Sequence, residues 1–453
     1  MKFFHPVAAA VLMVAGAGCA LSSQRARETV VKPSTPAHIL RGNGVQERYD
    51  SYRRRLEQFH EALTVAVKTA APALLAKLEP PRPVPHGYGI LPKIVPDAPA
   101  PTGPQRATSV GYSWPRTERM IDRELDDLTR SETELERAAA LAPADRETVY
   151  GKLADGYAAR RERQENIDAH IKHNRFWQAT IAADRSRYDR GTKLHDAVLE
   201  RQAVHDMLDA MDALDATSAT DDAALKKALD GIKAIDSSLG RAELEMGLRE
   251  REKTLARMIH DATERIRASP FLRVEHPESH LWIFRVFFYT DIDDSGFVGS
   301  IKEAVEKIWR HRDGDDEFRV ELSISFIPAA GLYREAPIPE RGDEIDTSRY
   351  GLLFPRDGAA LTTGALATHV FGRAIILGPH DIAPRVLAHE LGHILGFRDR
   401  YFRGYKDLDA DGLQVIEVMA EPDDIMGNPG TGRVLRRHFE RMIESTGGER
   451  SAN

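Results

Sequence analysis

Apolar residues recur at helical spacing from Val45 onward. Tyr49, Tyr52, Leu56, Phe59 and Leu63 are separated by threes and fours, so one face of a helix running to Leu78 is apolar, with Pro72 placed to kink or end it. Residues 80–115 then hold ten of the 25 prolines. Proline removes backbone donors and blocks helix, so this stretch is predicted to be an extended linker or a strap across another surface. Between Thr117 and Ser269 the period returns to helical. Ile121, Leu125, Leu128 and Leu135 form one stripe, and Leu244, Leu248, Leu255, Ile259, Ala262 and Ile266 form another. Breaks near Pro143, at Thr217 to Asp222 and at Ser237 to Gly240 predict about four to six helices folded back on each other as a bundle or coiled coil.

After Pro270 the texture changes. Leu281 to Thr290 is a dense aromatic and β-branched run of strand length, Val298 to Arg312 reads as an amphipathic helix, and Phe318 to Phe326 alternates as a half-buried strand. A further strand is expected from His369 to Leu377, then a helix capped by Asp381. The predicted fold class is α+β. Residues 45–116 form a helix and proline-rich linker, 117–269 a helical module and 275–446 a mixed α/β domain, with the two halves separable across Pro270.

Composition narrows the function. Sixty-three basic residues interspersed among 70 acidic ones, for a net charge of -7, leave no basic face for nucleic acid. The single cysteine, Cys19, excludes a disulfide framework and a cysteine-based metal site. Its position carries information. Lys2 precedes an apolar run from Val7 to Ala17, so residues 1–18 read as a signal peptide, too short for the roughly 20 residues of a membrane span. Ala17-Gly18-Cys19 resembles a bacterial lipobox, which implies a lipid on Cys19, attachment to a membrane and a place in the cell envelope, the outer membrane being favoured by Ala20. Residues 19–44 would then be a flexible tether.

The chemistry lies near the C-terminus. His389 and His393 are four residues apart, so on a helix both imidazoles lie on one face and reach one ion. Zinc suits them, since it takes neutral imidazole nitrogens and leaves a position for water. Glu390 projects beside that position, where a carboxylate takes the proton from water attacking a carbonyl. Val386, Leu387, Leu391, Ile394 and Leu395 supply the apolar backing that turns the histidines toward a cleft.

Gly396 is placed to end this helix, and Asp399 follows three residues later. The string from His389 to Asp399 resembles the metzincin signature, with Asp in the last position as in the snapalysin-like branch. Asp424-Ile425-Met426-Gly427-Asn428 resembles the Met-turn of that clan. The resemblance implies a zinc endopeptidase acting on protein or peptide substrates, with His389, His393 and Asp399 as ligands, Glu390 as general base and Met426 beneath the imidazoles. A tyrosine just after the methionine is missing here, and Tyr401 and Tyr405 are the candidates for its role.

Alternatives remain at this stage. Asp399 has a plainer reading as a helix-end carboxylate pairing with Arg398 or Arg400. A gluzincin scheme would take its third ligand from Glu417 or Glu421, and a non-enzymatic envelope scaffold would keep the metal domain as a relic. Asp407, Asp409 and Asp411, followed by Gly412, match the first half of a calcium loop, but Val418 stands where the last ligand belongs. Asp291 to Gly296 gives a similar half-match ending at Lys302. Both read as solvated acidic turns, with calcium support kept open for the first. The run Arg373 to Leu377 is expected to help wall the substrate cleft.

Overall fold

The computed structural model describes residues 37–79, 85–103, 105–217, 241–263, 266–333, 337–347, 351 and 353–447. The signal peptide, Cys19 and the first part of the tether lie outside them, as do nearly all of the expected breaks after Thr217.

The chain is mixed α/β. Helix α1 (Ala37–Ala70) begins inside the segment read as tether and stops just before Pro72, after which a 3-10 turn (Pro72–Leu74) and the short α2 (Leu75–Leu78) follow. The stripe read from the sequence is its buried face: Tyr49, Tyr52, Leu56, Phe59 and Leu63 are all in the core. They pack with Ile121 and Leu128 of α3 (Trp114–Ala138) and with Tyr150, Leu153, Ile167 and Ile171 of α4 (Pro143–Ala183). Ser113 caps α3 by accepting from the Arg116 amide at 3.4 Å. Helices α5 (Arg185–Thr217) and α6 (Arg241–Thr263) share a separate core of Leu208, Met211, Leu244, Leu248 and Leu255. Among the described residues no helix is long and apolar enough to cross a membrane.

The C-terminal half is built on a seven-stranded sheet. Its strands are β2 (Leu272–Glu278), β3 (Leu281–Thr290), β4 (Arg310–Asp313), β5 (Asp316–Phe326), β6 (Ala359–Thr363), β7 (His369–Phe371) and β8 (Ala374–Leu377). Their order is β4-β5-β3-β6-β8-β7, with β2 beside β3. The pairs β3–β5, β3–β6 and β6–β8 are parallel, and β2, β4 and β7 pair antiparallel. Helix α7 (Ser295–Ile308), capped by Asp294, carries the chain from β3 to the antiparallel β4–β5 pair, and Ile301 and Val305 bury its apolar face. The short α8 (Ala329–Leu332) follows β5. The single strand expected from His369 to Leu377 is a hairpin instead, because Gly372 adopts φ 62° and turns the chain. Helix α9 (Pro384–Ile394) carries the metal motif, and α10 (Arg436–Ser445) closes the domain.

A second sheet crosses the expected boundary. Strands β9 (Tyr401–Asp407) and β10 (Leu413–Met419) form a hairpin, and β1 (Thr108–Tyr112), from the proline-rich segment, adds antiparallel to β10. The hairpin lies on the helical module. Gly191 of α5 meets the Arg403 carbonyl, and Gly404 meets Thr192, so close that neither position has room for a Cβ. Thr192 Oγ1 donates to the Tyr405 carbonyl at 3.1 Å, and Arg403 stacks 4.5 Å from the Trp177 ring centroid. Leu413 and Val415 are buried with Tyr112, Trp177 and Ile181.

Candidate metal centre

Helix α9 forms because Val386, Leu387, Leu391 and Ile394 bury one face in the sheet's core, with Pro384 at its first position. Asp381 does not cap it. The N-cap is Ala383, whose side chain has nothing to offer the free amides, and the cap comes from elsewhere. Asp97 in the proline-rich strap accepts from the Arg385 amide at 2.9 Å, across 288 residues of sequence. At the other end Gly396 has φ 103°, and a Cβ there would strike the Arg267 carbonyl, so the position requires glycine on both counts.

Both histidines are oriented through Nδ1. His389, almost wholly buried, faces the Ile425 carbonyl at 2.8 Å, and His393 faces the Phe397 carbonyl at 3.1 Å. A carbonyl only accepts, so each Nδ1 carries a proton and each ring turns its Nε2 inward. The rings meet edge to face at 4.8 Å. Asp399 Oδ1 stands 3.3 Å from both Nε2 atoms, and these three are the one group of three or more His, Cys, Asp or Glu side chains among the described residues arranged to hold an ion.

With both Nε2 atoms deprotonated, the three would be acceptors aimed at one point, an arrangement that a cation between them relieves. Bonds of about 2.0–2.1 Å at tetrahedral angles put neighbouring donor atoms about 3.3 Å apart, so the observed separations fit a zinc-sized ion. Asp399 Oδ1 has no hydrogen bond of normal geometry. Burial opposes ionisation of this carboxyl, but the two imidazoles outweigh it and hold it well below the usual carboxylate range. Next to the ligands, Glu390 is 1% exposed and its Oε2 has no hydrogen-bond partner. Burial pushes its carboxyl up, against a downward pull from both histidines.

The turn beneath the helix locks these groups. Met426 is fully buried against Gly392, where any Cβ would collide with its Sδ. Trp309 Nε1 donates to the Ala388 carbonyl at 2.8 Å and helps to fix the helix. Asp424, 0% exposed, is the hub. Its Oδ1 accepts from the Met426 amide at 2.7 Å and lies 3.2 Å from His438 Nε2, while Oδ2 meets Arg437 at 2.6 Å and Arg400 at 3.2 Å. Despite burial, these partners hold its carboxyl far below the usual range.

This network decides among the sequence readings. Arg400 pairs with Asp424 and with Glu421 at 2.6 Å rather than with Asp399, which stands 3.3 Å from both histidines. Glu421 is held by Arg400 and Arg437, and Glu417 lies 2.5 Å from Arg403 on the hairpin, so neither joins the His389–His393–Asp399 cluster. Tyr405 donates to Asp189 of the helical module at 2.8 Å, away from the ligands, and Tyr401 lies under the Arg403 guanidinium. Asp407, Asp409 and Asp411 form the turn of the β9–β10 hairpin rather than a convergent ligand set. Asp407 accepts from Arg185 at 2.9 Å and from the Asp409 amide at 3.0 Å. The similar half-match at Asp291 is not the solvated turn expected, because Asp291 is buried against Thr362 and Tyr88 and burial pushes its carboxyl up, while Asp294 caps α7.

A cleft of about 380 Å³ opens beside His393, between the segment Arg267 to Phe271 and the turn Phe371 to Arg373. The expected wall is displaced by one strand. β8 is wholly buried between β6 and β7, so the sheet edge is His369–Phe371. The roles of Asp424, His438 and Arg437 were missed from the sequence, and only Asp424, inside the Asp-Ile-Met-Gly string, carried a signal, whereas a strap was one of the readings of the proline-rich segment.

No family model matches the chain. No curated protein and no solved structure is significantly similar to it.

Proposed function

We propose that this protein is a zinc-dependent endopeptidase of metzincin-like design, anchored at the cell envelope through Cys19. The convergence of His389, His393 and Asp399, with Asp399 Oδ1 3.3 Å from both Nε2 atoms, carries the reading. His389, His393 and Asp399 would hold the ion. Zinc supplies a Lewis acid for the scissile carbonyl and a lowered pKa for an attacking water. Glu390 takes the proton from that water and returns it to the departing amine. Its buried, unpartnered oxygen supports the role, since a relic site in a scaffold has no use for such a costly group. An extended substrate chain would lie along the edge strand β7, beside the cleft at His393.

The test is chelator-sensitive cleavage of an unstructured protein by the purified chain. Glu390→Ala should bind about one zinc and lose turnover by at least about a hundredfold, as expected for a general base. Asp399→Ala should lose zinc, whereas Glu417→Ala should keep it. Cleavage that survives chelation, or a fully active Glu390→Ala, ends this proposal.

A further inference from the structure

The proline-rich strap does more than link two modules. Ile94 bridges Ile382, with the Val95 amide donating to the Ile382 carbonyl at 3.0 Å and the Ile382 amide donating to Lys93 at 2.9 Å. This lays the strap against the approach to α9. Asp97 then supplies the cap that Ala383 lacks, and the Arg385 side chain donates to the Ala98 carbonyl at 3.0 Å. Farther along, Gln105 reaches the loop that contains Ile425 and Met426. Its Nε2 donates to the Pro422 carbonyl at 3.2 Å, and its Oε1 accepts from Thr431 at 3.1 Å and Asn428 at 3.3 Å.

We infer that Asp97 and Gln105 are positioning residues of the metal centre, which is incomplete without this strap. The inference rests on the zinc reading and adds which remote groups set its affinity. One latch holds the N-terminus of the helix that presents His389 and His393. The other holds the loop whose Ile425 carbonyl fixes the His389 tautomer and ring plane. Groups that orient a ligand in this way set metal affinity through the geometry available to the ion. Asp97 also places a negative charge at the positive end of α9, which stabilises the helix in the orientation that the cluster needs.

The experiment is competition for zinc between the mature full-length chain and a chromogenic chelator. Wild type, Asp97→Ala, Asp97→Asn, Gln105→Ala and Leu128→Ala are compared, the last being a core variant remote from the site. Asp97→Ala and Gln105→Ala should each bind zinc about tenfold more weakly. Asp97→Asn, still a good cap, should bind nearly as wild type. Leu128→Ala should melt at lower temperature yet keep its zinc affinity, separating general stability from positioning. Unchanged affinity in both strap variants overturns the inference while leaving the peptidase reading intact. So does an equal loss of affinity in Leu128→Ala. A wild type that takes up no zinc overturns the underlying reading and the inference with it.

Discussion

The amide of Arg400 donates to the carbonyl of Met426 at 2.9 Å, joining the residue after the third ligand to the turn beneath the other two. The Arg400 side chain, 3% exposed, then meets Asp424 two residues before that methionine. Asp399 and the histidine helix are thereby referred to one rigid loop. The geometry of the cluster depends on that loop as directly as on the ligands.

Asp424→Ala should therefore damage the site without touching a ligand. Removing one partner from a buried charged network leaves the others unpaired, at a cost of about 3–5 kcal/mol. Thermal melting of the metal-free protein should show this loss. Zinc affinity should fall by about 10–100-fold in whatever fraction remains folded. A variant that melts and binds as wild type would show that Arg400, Arg437 and His438 do not depend on this carboxylate.

Gly392 and Met426 should be coupled. Adding one methyl in Gly392→Ala forces it into the Met426 sulfur and should cost about 1–3 kcal/mol by overpacking. Met426→Ala alone should cost about 2–5 kcal/mol through its cavity. In the double variant each change relieves the other, so urea denaturation should give less than the sum. Strict additivity would mean that the two side chains do not meet.

Acid should loosen the contact between the helical module and the hairpin. His170 and His173 pack on Tyr112, with ring centroids 5.3 Å and 4.1 Å away. Burial pushes their pKa values down, to about 4 and about 3, aided by Arg116 and Arg403 respectively. Folding thus favours the neutral rings, and the unfolded chain binds more protons once the pH falls below about 6.5. The stability they contribute is complete above that pH and is lost progressively toward pH 4 and then 3. The loss reaches about 2 kcal/mol at pH 5 for His170, which is 2% exposed. Melting in chelator should show it, and His170→Gln should have a flatter profile between pH 7 and 5. An identical slope in that variant would count against the assignment.

A chain starting near Phe271 should fail to make a soluble, zinc-binding protein, contrary to the independence expected from the change of pattern at Pro270. It would leave Leu413, Val415 and Val418 without their covering helices and would lack both strap latches. Size-exclusion chromatography and zinc analysis of that fragment test this. A monodisperse, zinc-loaded fragment would restore the separable view.

The sequence was legible wherever local pattern decides structure. The α1 stripe and the strand Leu281–Thr290 follow from local pattern, the helix of His389 and His393 from its motif and apolar backing, and the place of Asp399 beside them from the resemblance of the string His389 to Asp399 to the metzincin signature. What stayed hidden depends on partners distant in the chain. Asp381 was the expected cap because it is local, whereas Asp97 caps across 288 residues. Likewise, no local feature announces that a segment rich in proline holds a strand, since the hydrogen bonds of Thr108–Tyr112 go to β10. The aspartates at 407, 409 and 411, read as a solvated acidic turn with calcium kept open, left two readings for the converse reason. A hairpin turn and a calcium loop share the same residue types, and only the positions of Arg185 and the backbone separate them.

The reach of Gln105 across 317 residues to Pro422 also fixes a schedule. At about 5–20 residues per second, a chain emerging from the ribosome completes the strap tens of seconds before its docking loop exists. Such long-range closure is slow to form in any case. The His389–His393–Asp399 cluster and the loop beneath it are therefore assembled last, after almost all of the polypeptide is made, so on the proposed reading nascent chains would carry no working peptidase.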